Sequence, residues 1–202
     1  MIGVGLLCSL ARRAFATGPR TGDGATGIWR SWRPKAWLRP LDKPEVPAPL
    51  GPTSFGAGLT LFHDCPRAEI GLAQIGADRP PHGVAVSVAR FEGSYLSLVV
   101  DLPEDLARQL GARDVVVIHL LLDAAASPLA RLNLRTGPNV ITMARPLRAT
   151  DDRRIAEFDL GRSGLGGGGV SAAWIDLLFD AASIGRICVG DLVVTRHRRA
   201  AF

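Results

Sequence analysis

Alternation with a period of two is the feature that most narrows what this chain can become. In "VAVSVARF" (84–91), Val84, Val86 and Val88 stand against Ala85, Ser87 and Ala89. In "YLSLVVDL" (95–102), Leu96, Leu98 and Val100 fall on one side. Successive side chains of an extended strand point to opposite faces, so such segments can bury one face and wet the other. The intervening "FEGSY" carries a turn at Gly93–Ser94, and the two runs read as a β-hairpin. "DVVVIHLLL" (114–122) is long and rich in β-branched residues, as a buried strand should be. "LTLFH", "EIGLAQI", "ARLNLRTGPN", "RIAEFDL", "AWIDLLFD" and "RICVGDLVVTR" extend the series to about nine strands. Helix is expected only for a turn or two at "PEDLARQL", with Pro103 suited to its first helical position and Gly111 to stop it. Many short strands with regular turn signals predict an all-β fold, an antiparallel two-sheet β-sandwich of jelly-roll type, over residues 59–202.

Residues 1–58 follow a different rule. Pro34, Pro40, Pro44, Pro47, Pro49 and Pro52 leave little room for regular structure, so an extended, largely irregular N-terminal arm is expected. Within it, "IWRSWRPKAWLRP" holds Trp29, Trp32 and Trp37. Tryptophans at that density are foreign to a solvated tail. We read them as anchors that dock the arm on the folded body, since large aromatics bury the most area per residue. A partner's surface is the other reading.

The chain has 202 residues with 47% hydrophobic and 21% charged side chains, enough to bury a core without disulfide or metal support. Its net charge of +5 is unevenly spread. Residues 1–40 hold seven basic residues and one acid, and Arg196, Arg198 and Arg199 crowd the C-terminus. The body between them is mildly acidic, which argues against a specific nucleic-acid-binding face. No stretch is apolar for long enough to be a membrane helix. Residues 1–22 lack acids and read as either a targeting segment or a mis-assigned start.

Candidate chemistry is sparse. "FHDC" sets His63, Asp64 and Cys65 together, but strand geometry sends Asp64 opposite to the other two. His82, His119 and His197 are isolated, and no metal-ligand spacing occurs, so no metal and no cofactor is expected. Three scattered cysteines, Cys8, Cys65 and Cys188, suit a reducing compartment; a Cys65–Cys188 bridge would suit an exported chain. The run "GRSGLGGGGV" contains Gly164, Gly166 and Gly169 at dinucleotide-loop spacing, but its β-patterned surroundings make it a hairpin loop. No serine has a nucleophile-elbow context. Of the paired carboxylates Glu104–Asp105, Asp151–Asp152 and Asp176/Asp180, Asp176 sits in a strand between apolar neighbours and is the most interesting. Arg131, Asn133 and Arg135 alternate with Leu132 and Leu134 and form a polar row on one sheet face, a candidate ligand-binding surface. The expected function is a non-enzymatic binding or structural module whose ligand is a glycan or a partner protein. The alternative is a glycan-acting hydrolase using Asp101 and Asp176 as its two carboxylates.

Several strings together resemble an uncharacterised bacterial family known as a domain of unknown function. They are "WRPKAWLRPL", "LFHDC", "RFEGSYLSLVVDLP", "ARLNLRTGPN", "EFDL", "WIDLLFD" and "GDLVVTRHRRA". The resemblance spans about residues 29–202 and implies a bacterial, cytoplasmic protein; it brings no activity, cofactor or catalytic residue. The family's N-terminal region is longer, charged and helical, unlike residues 1–22. More loosely, "RICVGDLVVTR" is similar to the last strand of galactose-binding-like and carbohydrate-binding jelly rolls, which implies a fold and not a function.

Overall fold

A computed structural model describes residues 31–76, 81–150, 153–166, 168–180 and 185–199. The elements run β1 (Ser31–Trp32), α1 (Lys35–Leu38), β2 (Glu45–Pro47), β3 (Thr53–Gly56), β4 (Leu59–His63), β5 (Glu69–Ile75), β6 (Gly83–Arg90) and β7 (Tyr95–Asp101). They continue with α2 (Glu104–Ala107), β8 (Asp114–Asp123), β9 (Leu129–Thr136), β10 (Asn139–Pro146), β11 (Arg148–Ala149), β12 (Arg154–Asp159), β13 (Ala172–Asp180) and β14 (Arg186–Arg198). One sheet has the order β11-β12-β8-β14-β6-β5-β2, with β1 added beside β14; the other has the order β10-β9-β13-β7-β4-β3. Every pairing is antiparallel, and the sheets form the expected β-sandwich.

The core is made by the alternation itself. The eight-stranded sheet turns Val84, Val86, Val116, Ile118, Leu120 and Phe158 inward, and the six-stranded sheet answers with Leu61, Leu96, Leu98, Leu132, Leu134 and Ile175, all fully buried. Two sheets packed on their apolar faces leave each outer face free to be polar.

Two turn expectations fail in the same way. β6 and β7 do not pair: β6 lies between β5 and β14, whereas β7 lies between β4 and β13. Phe91–Ser94 is thus a corner between sheets. Asp64 holds it by accepting from the backbone N–H of Ser94 (2.8 Å) and of Tyr95 (3.3 Å) and from the Ser94 hydroxyl. These bonds, the Ser94 hydroxyl first, hold the Asp64 carboxyl below its ordinary range. Gly93 is required there, because a Cβ would lie 2.9 Å from the backbone nitrogen of Cys65. Likewise the glycine-rich stretch after β12 leads to β13 in the opposite sheet and is a crossover, not a hairpin loop. Periodicity reports which face a strand buries but not which strand it pairs with.

Residues 31–58 contribute β1, α1, β2 and β3, and β2 and β3 are edge strands of the two sheets. Trp37 is fully buried in the core, and its Nε1–H donates to the Val189 carbonyl at 3.0 Å. Trp32 is partly buried against the core and pairs with Val194. Trp29 lies outside the described residues. No helix among the described residues is long and apolar enough to cross a membrane.

Candidate functional site

The outer face of the six-stranded sheet carries a groove of about 810 Å³. That volume falls within the ordinary range for small-ligand sites, roughly 300–1,000 Å³. The groove is built by the strand period on four adjacent strands. On β13, Trp174, Asp176 and Leu178 face out while Ile175, Leu177 and Phe179 face the core. On β9 the same alternation puts Arg131, Asn133 and Arg135 outward. β7 adds Tyr95, Ser97, Val99 and Asp101, and β4 adds Thr60 and Phe62.

Register decides which of these meet. Trp174 lies opposite Asn133 on one side and Asp101 on the other. Asp176 lies opposite Arg131 and Val99. Asp176 is 6% exposed, and its Oδ2 accepts from Arg131 Nη2 (2.9 Å), Arg131 Nε (3.1 Å) and Asn133 Nδ2 (3.1 Å). Asn133 Oδ1 in turn accepts from the Thr142 hydroxyl at 2.8 Å. A carboxylate bound by a guanidinium and an amide fixes both donors, so three strands share one polar network. The Arg135 guanidinium sits over the Trp174 ring, 5.6 Å from its centroid.

Asp101 has a different environment. Burial pushes its carboxyl above the ordinary value. Its backbone N–H donates to the Gly58 carbonyl at 2.8 Å, which ties the end of β7 to the turn between β3 and β4. At the other end of the groove the Ser97 hydroxyl is buried without a hydrogen-bond partner, between Phe62 and Leu178 in register.

The row Arg131, Asn133 and Arg135 therefore lies on one face, as strand period requires, but its members differ in state. Asn133 is 4% exposed and bonded at both ends, Arg131 is ion-paired, and Arg135 is exposed. Asp101 and Asp176 share the groove without being cross-strand partners. Trp174 was not among the residues singled out from sequence. Its signal is present in "WIDLLFD", where Trp174, Asp176 and Leu178 alternate with three apolar residues. An isolated tryptophan in such a run reads equally well as core.

The other candidates lie elsewhere. His63 and Cys65 are buried at the end of β4, where His63 Nε2 meets the Ala48 carbonyl at 3.2 Å and Cys65 Sγ accepts from the Glu92 N–H at 3.2 Å. Cys65 is free and forms no bridge with Cys188. Among the described residues no three His, Cys, Asp or Glu side chains converge on a common point.

A family described as a family of unknown function (DUF6478) has a model that matches residues 17–202. No curated protein matches the chain. Among solved structures, the enzymatically active domain of tailspike protein 4 from bacteriophage CBA120 aligns with a TM-score of 0.48 at 8% identity, covering 69% of this chain and 19% of that one. This chain thus spans about a fifth of the tailspike chain. The family 11 carbohydrate-binding module from Clostridium thermocellum, in complex with a β-1,3-1,4-mixed-linked tetrasaccharide, aligns with a TM-score of 0.44 at 9% identity, over 77% of this chain and 98% of that one. The CBM22-1 xylan-binding domain from Paenibacillus barcinonensis Xyn10C aligns with a TM-score of 0.42 at 13% identity, over 78% and 94%. None of these likenesses reaches 0.5, and none bears on what this chain binds.

Proposed function

The protein belongs to the DUF6478 family, and we propose that it is a non-catalytic binding module whose outer six-stranded face takes a glycan. One observation carries this reading: Trp174 stands in a groove lined by Arg131 and Asp176, which their ion pair holds in place, and by Asp101, its cross-strand neighbour on β7. Sugars have apolar C–H faces and polar rims. An aromatic plane flanked by fixed donors and acceptors matches both at once, and pre-fixed groups reduce the ordering that binding would otherwise require.

The hydrolase reading needs a carboxylate free to attack or to activate water. Asp176 is engaged by Arg131 and Asn133, and this favours a positioning role over a nucleophilic one. A partner protein remains the other kind of ligand for the same face.

Trp174→Ala is the direct test, with retention on soluble glycans measured by affinity electrophoresis and fold checked by melting. The expected result is a roughly 5- to 150-fold loss of retention, taking about 1–3 kcal/mol per ring by analogy with base–aromatic stacking. Retention unchanged in a folded variant would remove this face from consideration. Release of reducing ends by the wild type, lost in Asp101→Asn, would establish the hydrolase instead.

A further inference from the structure

Building on the reading of the groove as a glycan site, we infer that the ligand is carboxylated: a uronic-acid-containing glycan whose carboxylate sits on Arg135 beside Trp174.

The groove is lined by four charged side chains, Arg131, Arg135, Asp101 and Asp176. Arg131 is engaged internally by Asp176, and Asn133 shares the same carboxylate oxygen. Arg135 stands one pleat further along β9, and its cross-strand neighbours are Val140 on β10 and Ala172 on β13. Neither offers a side-chain acceptor. Among the described residues, no carboxylate forms an ion pair with Arg135. Its guanidinium lies over the indole of Trp174 instead.

A guanidinium held against an aromatic face loses torsional freedom but keeps its in-plane N–H donors. Such a fork is matched by two oxygens in one plane at fixed spacing. A carboxylate supplies them with a full negative charge, which the hydroxyl pairs of a neutral sugar lack.

The groove also assigns an orientation. Asp101 is the cross-strand neighbour of Trp174 on the β7 side, and Arg135 belongs to β9 on the other side. A ligand carboxylate near Asp101 would meet like charge or a shared proton. The ligand's acid groups therefore point toward β9, and its hydroxyls toward the Asp101 carboxyl on β7.

Polygalacturonate and its fully methyl-esterified form make the test, because they share a backbone and differ in charge. Dextran sulfate serves as a polyanion without carboxylates. Kd is measured with the full chain for wild type, Arg135→Gln, Arg135→Lys and Trp174→Ala, and melting is recorded for each. The wild type is expected to hold the acid form about tenfold or more tighter than the ester, with the gap narrowing as salt rises. Arg135→Gln should close that gap at an unchanged melting temperature. Arg135→Lys, which keeps the charge and loses the fork, should recover only part of it. Equal binding of acid and ester, with both lost in Trp174→Ala, overturns the carboxylate inference and leaves the groove as a neutral-glycan site. Dextran sulfate bound as tightly as polygalacturonate, with Arg135→Gln without effect, also overturns it, since the basic chain ends would then explain the attraction. Binding of neither galacturonan overturns the carboxylate inference and leaves the groove reading to the Trp174→Ala test on neutral glycans; acid binding untouched by Trp174→Ala overturns both.

Discussion

Two buried carboxylates, Asp176 and Asp191, are set up alike and end differently. Each stands on a long strand, and each is bound by arginine. Asp191 lies on β14 just after a register shift and has no exposed side-chain surface. Arg33 reaches it with Nε to Oδ1 at 2.8 Å and Nη2 to Oδ2 at 3.1 Å, and Arg153 adds Nη1 to Oδ2 at 3.3 Å. Asp176 keeps 8% side-chain exposure, and its arginine, Arg131, keeps 37%. Of the two arginines on Asp191, Arg33 comes from 158 residues away and fastens the N-terminal segment to the last strand. The partner of Asp176 comes from the adjacent strand and fastens nothing beyond the sheet. The same ion-pair chemistry is thus a clasp where chain covers it and the wall of a groove where it does not.

The largest way to break that symmetry is Asp191→Ala. It removes the carboxylate on which the mostly buried Arg33 and Arg153 guanidiniums converge. Removing one partner of a buried pair costs about 3 kcal/mol or more. In a chain of this size that corresponds to a melting temperature lower by roughly 6–12 °C. Ligand retention on the folded fraction should be unchanged, because the groove lies on the other sheet. Calorimetry and affinity electrophoresis on one sample decide it; lost binding with intact stability would mean the two faces are not independent.

Asp176→Ala should do the converse. Arg131 can turn to solvent, so the stability loss should stay near 1–2 kcal/mol. The orientation of Arg131 and Asn133 would go with it, and retention should fall at least tenfold. Urea midpoints and Kd together check both halves of the expectation. A triple alanine change at Arg131, Asn133 and Arg135 is accordingly no silent surface variant, since Asn133 is buried and bonded at both ends.

The smallest effect concerns pH on the eight-stranded side. His119 is held below its ordinary value near 6.5 by burial first, then by Arg153 and His197, with Asp191 opposing. Its Nε2 meets the Thr195 hydroxyl at 3.2 Å, a contact shared with His197. The unfolded chain therefore takes up a proton on His119 at higher pH than the folded one does. Stability contributed by the neutral ring is complete above pH 6.5 and declines as pH falls through 6.5 toward the folded value. Urea midpoints between pH 7.5 and 5.5 should show that decline, and His119→Gln should flatten it. A slope unchanged in the variant would assign the effect to other groups.

Much of this was legible in the chain itself. The β6, β8 and β9 segments announced themselves by alternation or by β-branched runs, and the short helix expected at "PEDLARQL" is present as one turn, Glu104–Ala107, with Pro103 as its N-cap and its end short of Gly111. The family resemblance carried by strings such as "WIDLLFD" agrees with the match over residues 17–202. The outward row on β9 followed from Leu132 and Leu134 facing the core. Trp174 did not stand out, because burial of an aromatic depends on what is stacked above its strand, and a single strand holds no record of that.

What the sequence determined alone is local and periodic: extended backbone, the side of each strand that seeks the core, and the positions where glycine or proline turns the chain. These follow from side-chain size and backbone sterics within a few residues. Tertiary structure alone decided which strands became neighbours. It turned the Gly93–Ser94 turn into a corner between sheets, with Asp64 as its hydrogen-bond acceptor. It set β9 beside β13, so that Arg131 met Asp176 and Arg135 met Trp174 across 45 and 39 residues of chain. Pairing is a choice among strands of nearly equal pattern, made by the packing of all of them at once, and so it is written in no single segment.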